Sequence, residues 1–128
     1  MAERIAEKKK RVVITGIGVI SPNGIGKEAF WEALRTGKSG IKKITSFDVS
    51  RFPCRIAGEV TGLRVSDYLE KKEAKRMARF SQLATVAAKM ALADAGLDLN
   101  FPSFVRLGIT LGVSTSALDL IEKSTKFC

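Results

Sequence analysis

The sequence predicts an α/β domain, because apolar segments of strand type alternate with segments in which apolar residues recur at helical spacing. Residues 11–20 and 106–113 have strand character, whereas residues 27–35 and a long stretch from Ser66 to Gly96 have helical character. The predicted order is therefore strand, helix, loop, weak strand, long helix, strand and helix.

The first predicted strand covers residues 11–20, which are rich in Val and Ile and almost continuously apolar. Such a run is typical of a strand buried on both faces, so we expect it in the centre of a sheet. A turn-forming cluster follows at residues 21–24. Apolar residues then recur at helical spacing over residues 27–35, and Gly37 ends the predicted helix.

Residues 38–53 mix Gly, Ser, Asp and Pro with isolated apolar residues, so they are predicted to form a long loop. We expect Ile41, Ile44 and Phe47 to point inward from this loop. A short strand is predicted over residues 54–60.

The long predicted helix begins at Ser66, a candidate N-cap with Glu70 behind it, and its pattern is strongest over residues 72–95. Between residues 80 and 94 the one charged residue before Asp94 is Lys89. A helix that is apolar on nearly all sides is a buried helix, and its many alanines allow close approach of neighbouring elements.

Residues 106–113 form the second predicted buried strand, and residues 117–123 form the last predicted helix. No strand follows for that helix to pack against, so we expect the chain to be part of a longer domain. We divide it into a charged N-terminal extension, residues 1–10, and a partial domain over residues 11–128.

Composition limits the chemistry available to the chain, which has 128 residues, two cysteines and no histidine. A Ser-His-Asp triad, a Cys-His dyad or an imidazole metal site cannot be made from it alone. Cys54 and Cys128 are too far apart for a CxxC pair, so no metal site and no redox motif are predicted. A reducing cytoplasm is the expected location.

The formal net charge of +9 favours an anionic partner. Nucleic acid is disfavoured, because aromatic residues for base stacking are sparse and are not interleaved with the basic ones. A membrane is disfavoured too, since no apolar run approaches the roughly 18 residues needed to cross a bilayer. Export is disfavoured because Gly16 and Gly18 interrupt the apolar stretch after the N terminus and no signal cleavage site follows.

The Gly-Ile-Gly sequence at residues 16–18 is similar to part of a dinucleotide-binding turn, in which glycines let backbone approach a pyrophosphate. The third glycine of that motif is replaced by Ser21, and Pro22 interrupts the expected start of a helix. We therefore favour a structural role in close strand packing over nucleotide binding.

Cys54 has two interpretations, a reactive thiolate or a partly buried structural thiol. Arg55 is adjacent, but neighbouring strand residues point to opposite faces, so it is poorly placed to stabilise a thiolate. Because free cysteines are commonly buried, we favour the structural interpretation.

Four basic residues are spaced at i, i+3, i+4 and i+7 within the long predicted helix, which places them on one face. They are Lys72, Lys75, Arg76 and Arg79. A solvated helix face and a binding surface for an anionic partner both explain such a cluster.

Seven segments carry a family resemblance. They are Arg-Val-Val-Ile-Thr-Gly-Ile-Gly-Val-Ile-Ser-Pro-Asn-Gly at 11–24, Phe-Trp-Glu-Ala-Leu at 30–34, Gly-Lys-Ser-Gly-Ile at 37–41, Phe-Asp at 47–48, Ile-Ala-Gly at 56–58, Lys-Arg-Met-Ala-Arg-Phe-Ser-Gln at 75–82 and Ala-Leu-Ala-Asp-Ala-Gly-Leu at 91–97. In order and spacing they resemble the opening of the β-ketoacyl-acyl-carrier-protein synthases of bacterial fatty-acid synthesis. Polyketide ketosynthases share much of the pattern.

The resemblance implies a thiolase-like fold, in which two similar α/β halves form a layered helix, sheet, helix, sheet, helix body, and the N-terminal half is a layered helix/sheet/helix. It also implies a homodimer when full length. This chain corresponds to the N-terminal half of that fold and is incomplete. The family condenses an acyl group on its active-site cysteine with malonyl-acyl-carrier protein, assisted by two histidines and without a metal or redox cofactor. In the family these residues follow later in the sequence, so no catalytic residue is assigned to this chain and the isolated chain is expected to be inactive.

Two kinds of site residue follow from the resemblance. The family's basic carrier-docking segment matches Lys72-Glu-Ala-Lys-Arg-Met77, which makes Lys72, Lys75 and Arg76 the expected contacts of the acidic acyl-carrier protein. Thr115 matches a position that lines the acyl pocket. The alternatives are a non-catalytic homologue that binds carrier protein or a partner synthase, and a polyketide ketosynthase fragment.

Overall fold

A computed structural model describes residues 11–97, 107–114 and 125. The strands within these ranges are β1 (Ile20–Ser21), β2 (Gly24–Ile25), β3 (Ile41–Lys43) and β4 (Ile56–Gly58). The helices are α1 (Lys27–Arg35), α2 (Lys71–Ala74) and α3 (Arg79–Asp94), and a 3₁₀ turn covers Val65–Asp67. None of the helices in the described ranges is both long enough and apolar enough to cross a membrane.

A tight hairpin leads into α1. Strands β1 and β2 pair antiparallel, with Ile20 opposite Ile25, so that Pro22 and Asn23 form the turn predicted at this point. Helix α1 has the predicted bounds. It ends at Arg35, and Gly37, two residues later, has a φ of 66° in the left-handed region, as predicted for a glycine that stops a helix.

Strands β3 and β4 form a second antiparallel ladder, with Ile41 opposite Gly58 and Lys43 opposite Ile56. The short strand predicted over residues 54–60 is confirmed at its centre, but the prediction of a loop over residues 38–53 is wrong at β3. Two of its three residues are lysines, so an apolar strand pattern is missing, and its backbone pairing with β4 forms the strand. The inward orientation predicted for Ile41 and Phe47 is also wrong, since they are 55% and 56% exposed, whereas Ile44 is half-buried.

Glu59 closes the loop between these two strands. Its carboxylate accepts hydrogen bonds from the backbone N–H groups of Thr45 and Ser46, and from their hydroxyls at 2.7 and 2.6 Å. These bonds, led by that of the Ser46 side chain, lower the pKa of Glu59 to about 2. The charged form of Glu59 is therefore part of the folded loop.

The long helix predicted from Ser66 is three separate elements. Ser66 lies inside the 3₁₀ turn and makes no N-cap hydrogen bond, α2 ends at Ala74, and Ala78 is extended with φ −61° and ψ 154°. The apolar pattern runs through this interruption because Ala78 is buried, so the pattern alone conceals it. The predicted end is confirmed, since Gly96 has a φ of 64° and follows α3.

The buried apolar residues of the described ranges are few. They are Ala33, Val49, Leu69, Ala78 and Val86. Val86 is the buried residue of α3, and most of the other residues of this helix are half-buried or exposed. The prediction of a helix covered on nearly all sides is therefore not met within the described residues.

The two predicted buried strands are not formed as such. Residues 11–19 and 107–113 have no strand assignment, and Val12 and Ile109 are 94% and 89% exposed. A strand needs a neighbour for its N–H and C=O groups, and no other described segment pairs with these two. Arg106 and the helix predicted over residues 117–123 lie outside the described residues.

Candidate functional site

The predicted basic site lies at the turn between α2 and α3. Lys72 is in α2, Lys75 is the C-cap of that helix and Arg76 is in the turn that follows, and all three are exposed. The expectation that they share one continuous helical face is wrong, because α2 ends before Lys75. The amides of Arg76 and Met77 instead bond to carbonyls three residues earlier.

We call residues 71–79 the basic corner. Five Lys and Arg residues and one carboxylate, Glu73, fall in these nine positions, which gives a local formal charge of +4. Within the described part of the chain, none of Lys72, Lys75 and Arg76 forms a salt bridge. Their charges are therefore available to an acidic surface.

Gln82, in the first turn of α3, ties the basic corner together. Its Nε2 donates hydrogen bonds to the Ala74 carbonyl at 2.9 Å and to the Met77 carbonyl at 3.3 Å. Its Oε1 accepts a hydrogen bond of 3.3 Å from the Arg79 guanidinium, whose other terminal nitrogen donates to Val60 O at 3.5 Å. The sequence interpretation missed Gln82, although an amide in an apolar helix beside a basic segment was a usable signal.

Buried apolar residues occur before and after α2 in the sequence. Leu69 and Ala78 are 3% and 9% exposed, and they bracket α2 on both sides. Farther along α3, the Lys89 ammonium donates a 2.7 Å hydrogen bond to the Tyr68 carbonyl and so holds the segment that precedes α2. Both ends of α2 are thus fixed to α3 through side chains.

The Gly-Ile-Gly segment packs against the other half of α3. A Cβ at Gly16 would overlap the Ala91 carbonyl oxygen, and one at Gly18 would overlap the Ala87 carbonyl oxygen. Asp94 fastens the same contact, because its carboxylate accepts a 3.0 Å hydrogen bond from the Ile17 amide and is paired with Lys27. This geometry favours close packing over nucleotide binding.

Asp94 and Lys27 also shift each other's proton affinity. The hydrogen bond from Lys27, followed by that from the Ile17 amide, lowers the pKa of the Asp94 carboxyl. The same bond from Asp94 raises the pKa of Lys27. Both groups are therefore charged over the physiological pH range, and the pair is structural.

The remaining site predictions have separate outcomes. Cys54 is exposed, so the expectation of a partly buried thiol is wrong. It lies before β4, which begins at Ile56 and is itself largely exposed. The Arg55 guanidinium is directed to the carbonyls of Phe52 and Ser50, at 3.3 and 3.1 Å. Thr115 and Cys128 lie outside the described residues. The part of the chain that the structure describes contains no cluster of three metal-ligating side chains.

Comparison with known proteins gives a consistent result. A family profile described as the N-terminal domain of β-ketoacyl synthase matches residues 9–126. The 3-oxoacyl-[acyl-carrier-protein] synthase 2 of Vibrio cholerae is 42% identical over 114 residues, which are 89% of this chain and 28% of that protein. The chain thus spans less than a third of the length of this relative.

Two solved structures are similar to the described fold. One is the ishigamide ketosynthase/chain length factor, with a TM-score of 0.63 and 41% identity over 67% of this chain and 21% of that chain. The other is AntDE:AntF, a type II PKS acyl-carrier protein in complex with its ketosynthase bound to the hexaketide. It has a TM-score of 0.52 and 31% identity over 72% of this chain and 20% of that chain.

Proposed function

Because this chain belongs to the β-ketoacyl synthase family, as an N-terminal domain of the 3-oxoacyl-[acyl-carrier-protein] synthase 2 type, we propose that it is part of a condensing enzyme of fatty-acid biosynthesis. The enzyme would join an acyl thioester to malonyl-acyl-carrier protein. In this proposal the domain has the layered thiolase-like fold, and the full-length synthase is a cytoplasmic homodimer.

The proposed reaction has two steps that balance without a cofactor. A cysteine thiolate attacks the acyl thioester, and the carrier thiol leaves. Malonyl-carrier protein then loses carbon dioxide, and its enolate carbon attacks the acyl-enzyme, which forms 3-oxoacyl-carrier protein and releases the cysteine thiolate. The family resemblance implies two histidines that stabilise the enolate and its oxygen. This chain contains no histidine, so it does not supply them.

The proposed contribution of this chain is recognition of the carrier protein. The observation that carries it is the exposed charge of the basic corner at Lys72, Lys75 and Arg76, which form no salt bridge with another described residue. Complementary charge steers two proteins into encounter and sets their orientation. The solved complex of a similar ketosynthase with its acyl-carrier protein supports a partner of this kind. Thr115 is proposed to line the acyl pocket.

Two alternatives keep the same partner and change the chemistry. The similar solved structures are ketosynthases named for polyketide systems, which favours a polyketide ketosynthase as the second candidate. A non-catalytic homologue that binds carrier protein or a partner synthase is the third. Product analysis of the full-length protein separates them. A fatty-acid synthase releases one 3-oxoacyl product per extension, a polyketide ketosynthase extends an unreduced 3-oxoacyl chain repeatedly, and a non-catalytic protein releases no product.

Charge reversal in the full-length synthase tests the docking role. The change of Lys75→Glu with Arg76→Glu should lower kcat/KM for carrier-bound substrate about tenfold or more at low salt, because encounter is steered by charge. The effect should fade as salt increases, since the Debye length falls to about 8 Å at physiological ionic strength. A small thioester analogue, which makes no docking contact, should react at an unchanged rate.

A matched control uses the two lysines of β3, which are also adjacent and exposed. Lys42→Glu with Lys43→Glu changes the net charge by the same amount outside the basic corner and should have little effect. Equal losses from both pairs, or equal losses with both substrates, would refute docking at the corner.

The isolated 128-residue chain should form no 3-oxoacyl product, and turnover abolished by Cys54→Ala would refute the assignment of no catalytic residue to it.

A further inference from the structure

We propose that Gln82 is a positioning residue for carrier docking, whose side-chain amide holds the basic corner in the geometry that meets the acidic partner. This inference rests on the proposed function. It assigns a role to a residue that contacts neither substrate nor reacting atoms.

Helix α2 has little stability of its own. The helix has four residues, and its N-cap makes no side-chain hydrogen bond. A helix of one turn is not stable in isolation, because nucleation fixes several residues for a single hydrogen bond. The direction of Lys72 and Lys75 therefore depends on what fastens α2 to the rest of the molecule.

Gln82 makes hydrogen bonds to the backbone on both sides of Lys75 and Arg76. Its amide nitrogen spans the Ala74 and Met77 carbonyls, which flank these two residues. The turn between them is consequently fixed to the first turn of α3, while the charged ends of both side chains stay outside any salt bridge with the described residues.

This set of hydrogen bonds requires an amide side chain at position 82. Glutamine donates through its nitrogen to the two carbonyls and accepts through its oxygen from Arg79. Glutamate lacks the donor, and lysine or methionine lacks an adequate acceptor. A residue that only filled space in the half-buried site would not need both functions.

The test uses Gln82→Met in the full-length synthase, which keeps the length and removes the amide. We expect KM for malonyl-carrier protein to rise about threefold to tenfold, the size of a hydrogen bond's net contribution, with little change in kcat. The rate with a small thioester analogue should not change. Thr36→Val is the matched control, because it removes a 2.7 Å side-chain hydrogen bond to a helix carbonyl, Glu32 O, with a similar loss of polarity.

A double-mutant cycle identifies the route of the effect. In a Lys72→Gln, Lys75→Gln, Arg76→Gln background the Gln82→Met change should have no further effect on KM, because the docking charges through which it acts are gone. Additive losses, equal losses with both substrates, or an unchanged KM would overturn the inference.

Failure of this inference and failure of the proposed function give different results. If the charge reversal of Lys75 and Arg76 weakens carrier recognition but Gln82→Met does not, the inference alone fails. If charge reversal has no effect, the docking role itself fails. Should Gln82→Met not fold, Gln82→Leu provides the same test, since it is also neutral and can neither donate to the Ala74 and Met77 carbonyls nor accept from Arg79.

Discussion

Single carboxylates connect distant parts of this chain. Glu59 gathers four donors from Thr45 and Ser46, and Asp94 joins the Ile17 amide to Lys27. In each case the charged form accepts the hydrogen bonds, so the fold and the ionisation state are linked. Glu59 and Asp94 connect these segments through hydrogen bonds to a carboxylate rather than through burial, because both side chains are accessible to water.

The linkage at Glu59 predicts acid sensitivity. Its pKa is lowered from 4.5 to about 2, so the charged form stabilises the fold at any pH above 4.5. This contribution is lost as the pH falls from 4.5 through 2. Urea unfolding from pH 6 to pH 2 should show wild type losing its stability advantage over Glu59→Gln in that window. A constant difference between the two proteins would contradict the prediction.

At the scale of elements, α3 organises the described structure. One half of it carries the basic corner through Gln82, and the other half is in contact with the glycine segment at residues 16–18. Because the backbone of that segment lies against the Ala87 and Ala91 carbonyls, there is no room for a side chain at either glycine. The two contacts use different turns of the helix and can be perturbed separately.

The glycine contact predicts a specific destabilisation. A methyl group at Gly18 would overlap the Ala87 carbonyl, so Gly18→Ala should reduce the free energy of unfolding by about 1–3 kcal/mol, as overpacking does. Gly108→Ala is the control, because no described residue other than its chain neighbours lies within 4 Å of a Cβ at that position. Denaturant titration measures both, and equal effects would contradict the close approach.

Part of this arrangement was predictable from the sequence. Helix α1 and the glycine ends of α1 and α3 were predicted, because helical spacing and a following glycine are local signals. The break at Ala78 was hidden because a buried alanine fits a helix and an extended segment equally well. Strand β3 was missed because pairing with β4, rather than its own lysines, forms it.

The charged residues of the candidate site were predictable from the sequence, whereas the side chain that holds them in place was not. Lys72, Lys75 and Arg76 were identified from their types and from the family pattern, and all three are exposed. Gln82 was not identified, since its role depends on carbonyls that become available only where α2 stops. A hydrogen bond between a side chain and a helix end requires knowledge of where the helix ends.

For the whole molecule, the described chain leaves large apolar side chains uncovered. Val12, Ile14 and Ile109 are each more than four-fifths exposed, at 94%, 83% and 89%. Apolar patches of this kind are rare on monomeric soluble proteins and mark surfaces that another body covers. The chain spans 28% of the length of its Vibrio cholerae relative, which fits such an arrangement.

These surfaces predict self-association of the isolated chain. Sedimentation velocity should show oligomers or aggregates at micromolar concentration, because burial of apolar area drives association. The combined variant Val12→Thr, Ile14→Thr and Ile109→Thr should shift the distribution toward monomer. A wild-type chain that sediments as a monomer and unfolds cooperatively would contradict this prediction.

The bond from the Ile17 amide to Asp94 spans 77 residues of sequence, and this span sets an order of events during synthesis. The hairpin and α1 use contacts between residues close in sequence, whereas the glycine segment must wait until Asp94 has been synthesised. At about 5–20 residues per second, 77 residues take roughly 4 to 15 s to synthesise. For that interval the Ile17 amide lacks its Asp94 acceptor, and Gly16 and Gly18 lack the α3 carbonyls against which they pack.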